Sequence, residues 1–425
     1  MAHILLRNRD IADIWQFDTY VASGGYDALK RAVNDLSPDE VIQTVSASNL
    51  RGRGGAGFPA GRKWSFIPKD APVKYVTVNA DESEPGTFKD RELLEKNPHQ
   101  VIEGALIAAY AIQATAVYIY CRGEFWDLAH ALEEQIEEAR RANLAGDDIL
   151  GSGWSCPVYV HLGAGAYICG EESALLNSLQ GLLGQPRVRP PFPAQVGGGL
   201  YYAPTVVNNV ETLANVPWII LNGADAYLAI GTSESTGPKI FCMSGHVERP
   251  GNYELPLGIT FRELIYEHAG GVPNGKKLKG ILPSGASGPV LRATDEVLDA
   301  ALTYESVAAL GSTLGSASFI LMDEDTDMVW AAAKMIHFFR HESCGKCTPC
   351  REGTYWLDKI YERILRGDGT VQDLELLERV PQQIMGLTLC ALGDFACNPV
   401  LSTVLQFRDE YELYIGAVEP AAVGV

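Results

Sequence analysis

The run Val158-Tyr-Val-His161, followed by Gly163-Ala-Gly165-Ala-Tyr167-Ile-Cys-Gly170-Glu171-Glu172 and then Ser173-Ala-Leu-Leu-Asn-Ser-Leu179, decides the fold. A short β-prone run, a glycine turn and a helically spaced stretch over about 170–179 read as strand, loop, helix. Working outward, Val73–Val78 and Ala116–Cys121 read as strands, and Val101–Ile112 and Trp126–Arg141 as helices, the last with an acidic face. Strands alternating with helices from about 72 to 215 imply a parallel sheet with covering helices. A Pro/Gly-rich stretch, Pro186–Pro204, follows and is too long for a plain turn.

Beyond the alternating region the texture changes. Tyr26–Val33 and Ser37–Val45 have helical spacing, with Ser37-Pro38 as a cap and first turn. Short strands around Ile240 and Gly251, with a helix over Thr260–His268, suggest a small β-rich domain. Met328–Phe339, Gly353–Arg366, Val371–Ile384 and Pro399–Tyr414 are expected helices. The division expected is therefore 1–71, a helical segment with a glycine-rich loop; 72–237, an α/β ligand-binding domain; 238–325, the β-rich domain; and 326–425, a helical bundle.

At 425 residues, 47% of them apolar, the chain can build several cores. No apolar run approaches the roughly 20 residues of a membrane span, and the N-terminus lacks a signal-peptide pattern. A net charge of −19 argues against nucleic acid and anionic membranes as partners.

Four segments carry candidate chemistry. Arg51-Gly52-Arg53-Gly54-Gly-Ala-Gly57 matches G-x-G-x-x-G, but a helix precedes it, and Pro59 and Gly61 oppose a helix after it. It is not a dinucleotide fingerprint. It remains a loop whose amides can approach a ligand, with Arg51, Arg53, Arg62 and Lys63 for charge and Phe58, Trp64 and Phe66 for stacking. A planar ligand bearing phosphate suits that mixture. Asn79-Ala-Asp81-Glu82-Ser83-Glu84 lies at a strand's carboxyl end, where α/β sheets bind ligands. Its acids serve either as helix caps or as acceptors for ribose hydroxyls and ring N–H groups. Glu171 and Glu172 suit a helix start, although dipole stabilisation explains one more comfortably than two. Asn208 and Asn209 offer amides at a helix start, where capping would account for one.

Cys344-Gly-Lys-Cys347-Thr-Pro-Cys350, with Cys390 downstream, is a triplet plus one. A cuboidal [4Fe–4S] cluster presents four iron corners for four thiolates, whereas structural zinc usually sits between two separated Cys-x-x-Cys knuckles. Cys397 competes with Cys390 for the fourth position. Cys121, Cys156, Cys169 and Cys242 read as buried free thiols.

Taken in order, Arg51–Phe66, Asn79–Asp90, Gly163–Glu172, Asn208–Thr212 and Glu342–Gly353 resemble the NADH-binding flavoprotein subunit of complex I-type NADH:quinone oxidoreductases. The resemblance covers nearly the whole chain. It implies a Rossmann-like parallel-sheet domain with an unusual flavin loop, a ubiquitin-like β-grasp domain and a C-terminal bundle carrying the cluster. FMN would be held by Gly52, Arg53, Gly54, Lys63, Asn79, Asp81, Glu82, Tyr167, Gly170, Glu171, Asn208, Asn209 and Thr212. NADH would stack on Phe58, Phe66 and Phe192, with Glu84, Tyr167 and Glu172 as polar contacts. Cluster ligands would be Cys344, Cys347, Cys350 and Cys390, the resemblance choosing Cys390 over Cys397. It further implies NADH oxidation without a side-chain acid or base. Its implied partners are a thioredoxin-like [2Fe–2S] subunit and a further iron–sulfur subunit. Its implied place is the peripheral arm on the cytoplasmic face of the inner membrane or the mitochondrial-matrix equivalent. The diaphorase subunit of a soluble hydrogenase or formate dehydrogenase is one alternative, and a zinc-stabilised nucleotide-binding scaffold without redox activity another. One departure is visible: Tyr202-Ala203-Pro204 stands where the family often has Gly-Lys-Pro.

Overall fold

The computed structural model describes residues 2–416. Its first sheet holds β1 (Tyr75–Ala80), β2 (Ala116–Cys121), β3 (Val158–Leu162) and β4 (Thr205–Asn209), all parallel, in the order β3-β2-β1-β4. The chain steps from β1 through β2 to β3, then returns to the far side of β1. The strand order therefore reverses between β1 and β4, which opens a crevice at their carboxyl ends. Register places Val78 beside Asn208 and Asn79 beside Asn209. Asn208 and Asn209 thus end a strand that sequence reading did not anticipate, and the expected helix, Val210–Asn222, starts one residue later.

The helix Pro98–Ile112 is buried along almost its whole length, which suits its run of alanine, isoleucine and leucine. It crosses Val210–Asn222 so closely that a Cβ at Gly104 would lie 2.1 Å from the Leu213 carbonyl oxygen. Residues of the N-terminal helices Asp27–Asp35 and Pro38–Ala47 share this core with the sheet. Ser37 and Glu40 form the reciprocal cap that the sequence announces.

The second sheet holds β5 (Pro238–Gly245), β6 (Gly251–Pro256), β7 (Leu278–Leu282), β8 (Leu291–Arg292) and β9 (Ser318–Asp323), in the order β6-β5-β9-β7-β8. β5 runs parallel to β9 and the other pairs are antiparallel. With one wide helical turn, Glu263–His268, packed against it, this is the β-grasp arrangement.

The C-terminal helices are Met328–Glu342, Thr348–Leu365, Val371–Gln382, Leu392–Gln406 and Arg408–Gly416. Two expectations are corrected. Thr348-Pro349 starts a helix earlier than the expected Gly353, because proline fits a first turn. Cys350 therefore sits on that turn rather than in a loop. The single helix expected over Pro399–Tyr414 is two, broken at Phe407. A third correction concerns Pro59 and Gly61, which do not prevent the helix Ala60–Ser65. Pro59 caps it, and Gly61 is where it meets Ser46, whose Oγ would lie 2.3 Å from an added Cβ.

Candidate functional site at the sheet crevice

The glycine loop lies across the carboxyl ends of β1 and β4. A Cβ on Gly54 would stand 2.8 Å from Asn209 Cβ, so only glycine permits this approach. Arg53 N–H donates to Thr212 Oγ1 at 2.8 Å. The Arg53 side chain behaves otherwise than its sequence context suggests. Its guanidinium is fully buried and donates to Tyr227 Oη at 3.1 Å and to the Thr236 carbonyl at 2.6 Å, so its charge braces the loop from behind.

Asn79 Nδ2 donates to the Gly170 carbonyl at 2.8 Å, tying β1 to the turn Tyr167–Gly170. Asp81 is buried beside Gly170, with no hydrogen-bond partner for Oδ2, and burial raises its carboxyl to about 7. An unpartnered buried carboxylate oxygen facing a residue without a side chain is an unmet acceptor that a polyhydroxylated ligand would satisfy. Glu82 accepts from Asp90 and Arg91 N–H at 2.7 and 2.9 Å, and burial followed by nearby Asp90 lifts it to about 8. It caps the helix Lys89–Lys96. Asn209 caps Val210–Asn222 through Glu211 N–H, while Asn208 Oδ1 accepts from buried Trp64 at 2.8 Å.

Behind the loop lies a buried ionic cluster. Lys89 Nζ stands 2.7 Å from Asp90 and 2.9 Å from Glu211, and Lys239 stands 3.7 Å from Glu211, both lysines being fully buried. Burial opposes charge on Lys89, but Asp90 and Glu211 hold its ammonium above its usual value.

Glu171 caps the helix Glu172–Leu179 and pairs with Arg189. Glu172 lies 3.3 Å from Lys63 and 3.4 Å from Arg189. This chain of charges brings the helix leading to Phe66 beside the proline-rich segment carrying Phe192. Phe58, Phe66 and Phe192 are 39%, 50% and 49% exposed, with the Arg62 guanidinium 5.8 Å from the Phe58 and Phe66 ring centres and that of Arg189 5.9 Å from the Phe192 ring. Tyr167 Oη donates to Glu84 at 2.7 Å, while Glu84 accepts from Ser287 N–H at 2.9 Å. Burial raises Glu84 to about 7.

Tyr167 also leads to the cysteines. Its N–H donates to Glu342 at 3.0 Å, two residues before Cys344, and its ring packs edge-on against Phe338. Gln185 Nε2 donates to the Cys344 carbonyl at 2.9 Å, and Lys346 to that of Pro186 at 2.6 Å. Cys344, Cys347 and Cys390 are half-buried and Cys350 is buried. Burial pushes Cys350 up to about 11 and Cys390 up to about 12, and Cys344 acts on both. Cys397 is fully buried, its Sγ 3.9 Å from the Pro381 carbonyl. Cys121, Cys156, Cys169 and Cys242 are buried thiols, as expected. Among the described residues, no three His, Cys, Asp or Glu side chains are gathered closely enough for a single metal ion.

Comparison with known proteins agrees with this layout. Residues 45–218 match the Nuo51 FMN-binding domain, 240–290 the SLBB domain, and 330–414 the iron–sulfur binding region of NADH-ubiquinone oxidoreductase F. The F 2 subunit of the NADH-quinone oxidoreductase of Rhizobium meliloti is 51% identical over 97% of this chain and 97% of its own. The F subunit of the Mycobacterium tuberculosis enzyme is 51% identical over 97% of this chain and 93% of its own. The chain belongs to the family of NADH-quinone oxidoreductase F subunits. A solved NAD+-reducing [NiFe]-hydrogenase superposes with a TM-score of 0.82 at 39% identity over 92% of this chain. The present chain spans 65% of that hydrogenase chain.

At the departure from the family's Gly-Lys-Pro, Tyr201 and Tyr202 both adopt left-handed backbone conformations, with φ of 46° and 66°. Glycine takes that region without strain, and tyrosine does not. Sequence reading missed Arg189, Ser287, Lys89, Glu211 and Lys239. Only Lys89 and Glu211 carried a local signal, as charged residues inside otherwise well-packed helix starts.

Proposed function

We propose that this chain is the electron-input subunit of a respiratory NADH:quinone oxidoreductase. It oxidises NADH at an FMN held in the β1–β4 crevice and delivers electrons to a [4Fe–4S] cluster on Cys344, Cys347, Cys350 and Cys390. Bound FMN supplies the conversion between a two-electron hydride donor and a one-electron cluster. The observation that carries the reading is the buried Asp81 carboxylate beside Gly170, its Oδ2 without a partner, together with Gly54, where the loop meets Asn209 too closely for a side chain. Asp81, Asn79 and the loop amides bind the flavin's polar portion, and Lys63 supplies positive charge. Phe58, Phe66 and Phe192 stack the nicotinamide nucleotide, with Glu84 and Glu172 orienting its polar groups. Tyr167 joins flavin end to cluster end through Glu84 and Glu342. Cys390 is supported over Cys397 by its half-buried position, whereas Cys397 is fully buried with its Sγ 3.9 Å from the Pro381 carbonyl.

The four-part division at 71, 237 and 325 belongs to the same proposal. So do the thioredoxin-like [2Fe–2S] partner, the further iron–sulfur partner, and a peripheral-arm position on the cytoplasmic face of the inner membrane or its matrix equivalent. No described helix is long and apolar enough to cross a membrane. The likeness to the hydrogenase supports a second reading as a diaphorase subunit, which co-purifying subunits separate from the first. The test is a visible spectrum of the purified full chain. Flavin bands that bleach on NADH addition, above a broad iron–sulfur absorption, are expected. A colourless protein that does not oxidise NADH with ferricyanide overturns the reading.

A further inference from the structure

We infer that Lys239 and Tyr304, both from the second domain, are positioning residues that aim the glycine loop at its flavin. The inference rests on the flavin reading above and adds residues outside the segment matching the FMN-binding family, which ends at 218. Two consecutive carbonyls of the loop are grasped from behind. Tyr304 Oη donates to the Gly52 carbonyl at 3.0 Å, and Lys239 Nζ donates to the Arg53 carbonyl at 3.2 Å.

A trans peptide points its C=O and its N–H in opposite directions. Holding the Gly52 carbonyl toward Tyr304 therefore turns Arg53 N–H toward Thr212 Oγ1, which it meets at 2.8 Å. Holding the Arg53 carbonyl toward Lys239 turns Gly54 N–H away from the second domain, toward the crevice side. Among the described residues that amide takes no hydrogen-bond acceptor. It is a donor set out for a ligand. The grip is rigid because both donors are immobilised. Lys239 is fully buried against Glu211, whose other oxygen accepts from Ile240 N–H at 2.8 Å. The Tyr304 ring is covered by the Arg51 guanidinium at 4.0 Å, and a Cβ on Gly57 would touch the same ring at 3.0 Å.

The full-length holoprotein tests this through the rate of FMN release on dilution, read by the recovery of flavin fluorescence, alongside its thermal midpoint. Tyr110→Phe is the control. It removes a hydroxyl that donates to the Leu36 backbone carbonyl at 2.8 Å and bonds no residue of the loop. Tyr304→Phe is expected to speed FMN release about tenfold, the scale of one lost hydrogen bond. Lys239→Met is expected to exceed tenfold, and Lys239→Arg to recover part of the loss. Tyr110→Phe should lower the midpoint comparably yet leave release within about twofold. If Tyr304→Phe releases FMN no faster than Tyr110→Phe, the inference fails. Should Lys239→Met not fold, Tyr304→Phe decides alone. Wild-type chain that never retains FMN would instead overturn the functional reading itself.

Discussion

The two ends of the site are built on opposite principles. At the crevice, a charged cluster buried behind the glycine loop ties Lys89, Asp90, Glu211 and Lys239 together, with the Arg53 guanidinium bonded to the Thr236 carbonyl beside it. At the cysteines, Cys344, Cys347 and Cys390 are half-buried and Cys350 buried, burial raises Cys350 and Cys390, and few bonds are made besides that of Ser343 Oγ to Cys350 Sγ at 3.2 Å. The first end is shaped before its ligand arrives. On the proposed reading, the second would exchange thiol protons for iron, so metal binding there would complete the structure. A preorganised pocket fails by steric intrusion. An unfinished one fails by losing a ligand.

The largest effect expected is at the unfinished end. Cys390→Ser should reduce iron from about four per chain toward zero, whereas Cys397→Ser should keep the cluster spectrum and lose only stability. Iron analysis with visible absorption decides, and loss of the cluster in Cys397→Ser alone would reassign the fourth ligand. Next is steric intrusion at the finished end. Gly54→Val puts side-chain carbon where Asn209 Cβ already stands 2.8 Å from an ideal Cβ. FMN content of the purified variant should fall to background, and a stoichiometric flavin would break the comparison.

A smaller effect sharpens it. Asp81 is raised from 3.8 to about 7 by burial, so its folded value lies above its unfolded one. Between about pH 4 and 7 the folded state then binds more protons, and stability falls as pH rises through that window. Asp81→Asn should therefore stabilise the flavin-free chain at pH 8 by about 1–4 kcal/mol, the gain fading toward pH 4. Denaturation midpoints at the two pH values measure it; equal shifts at both would show that Asp81 is solvated. The smallest effect concerns nucleotide choice. Glu172 is already paired with Lys63 and Arg189, which offsets its repulsion of a 2′-phosphate. Glu172→Gln should raise NADPH relative to NADH in kcat/KM only several-fold, most at low salt. An unchanged ratio would leave Glu172 as a helix-start charge alone.

Much of this was legible in the residues, and the gaps have physical causes. Alternating strands and helices announced the parallel sheet, yet β4 was hidden because it is five residues long and follows a proline-rich segment. The capping reading for one of Asn208 and Asn209 holds for Asn209, which accepts from Glu211 N–H, and Glu171, read as a helix-start charge, is itself the cap, accepting from Ser173 and Ala174 N–H. Arg53 looked like a ligand charge beside glycines, but burial turned it into a brace. Lys239 and Tyr304 were illegible, since their contacts with the loop span 186 and 252 residues and leave no local pattern.

That separation also has a consequence in time. During synthesis the loop at Gly52 emerges long before Tyr304, 252 residues later. At roughly 5–20 residues per second, it waits on the order of 10–50 s without its rear support. The loop's rear support is therefore complete only after most of the chain has been made, and a product truncated before Tyr304 lacks it.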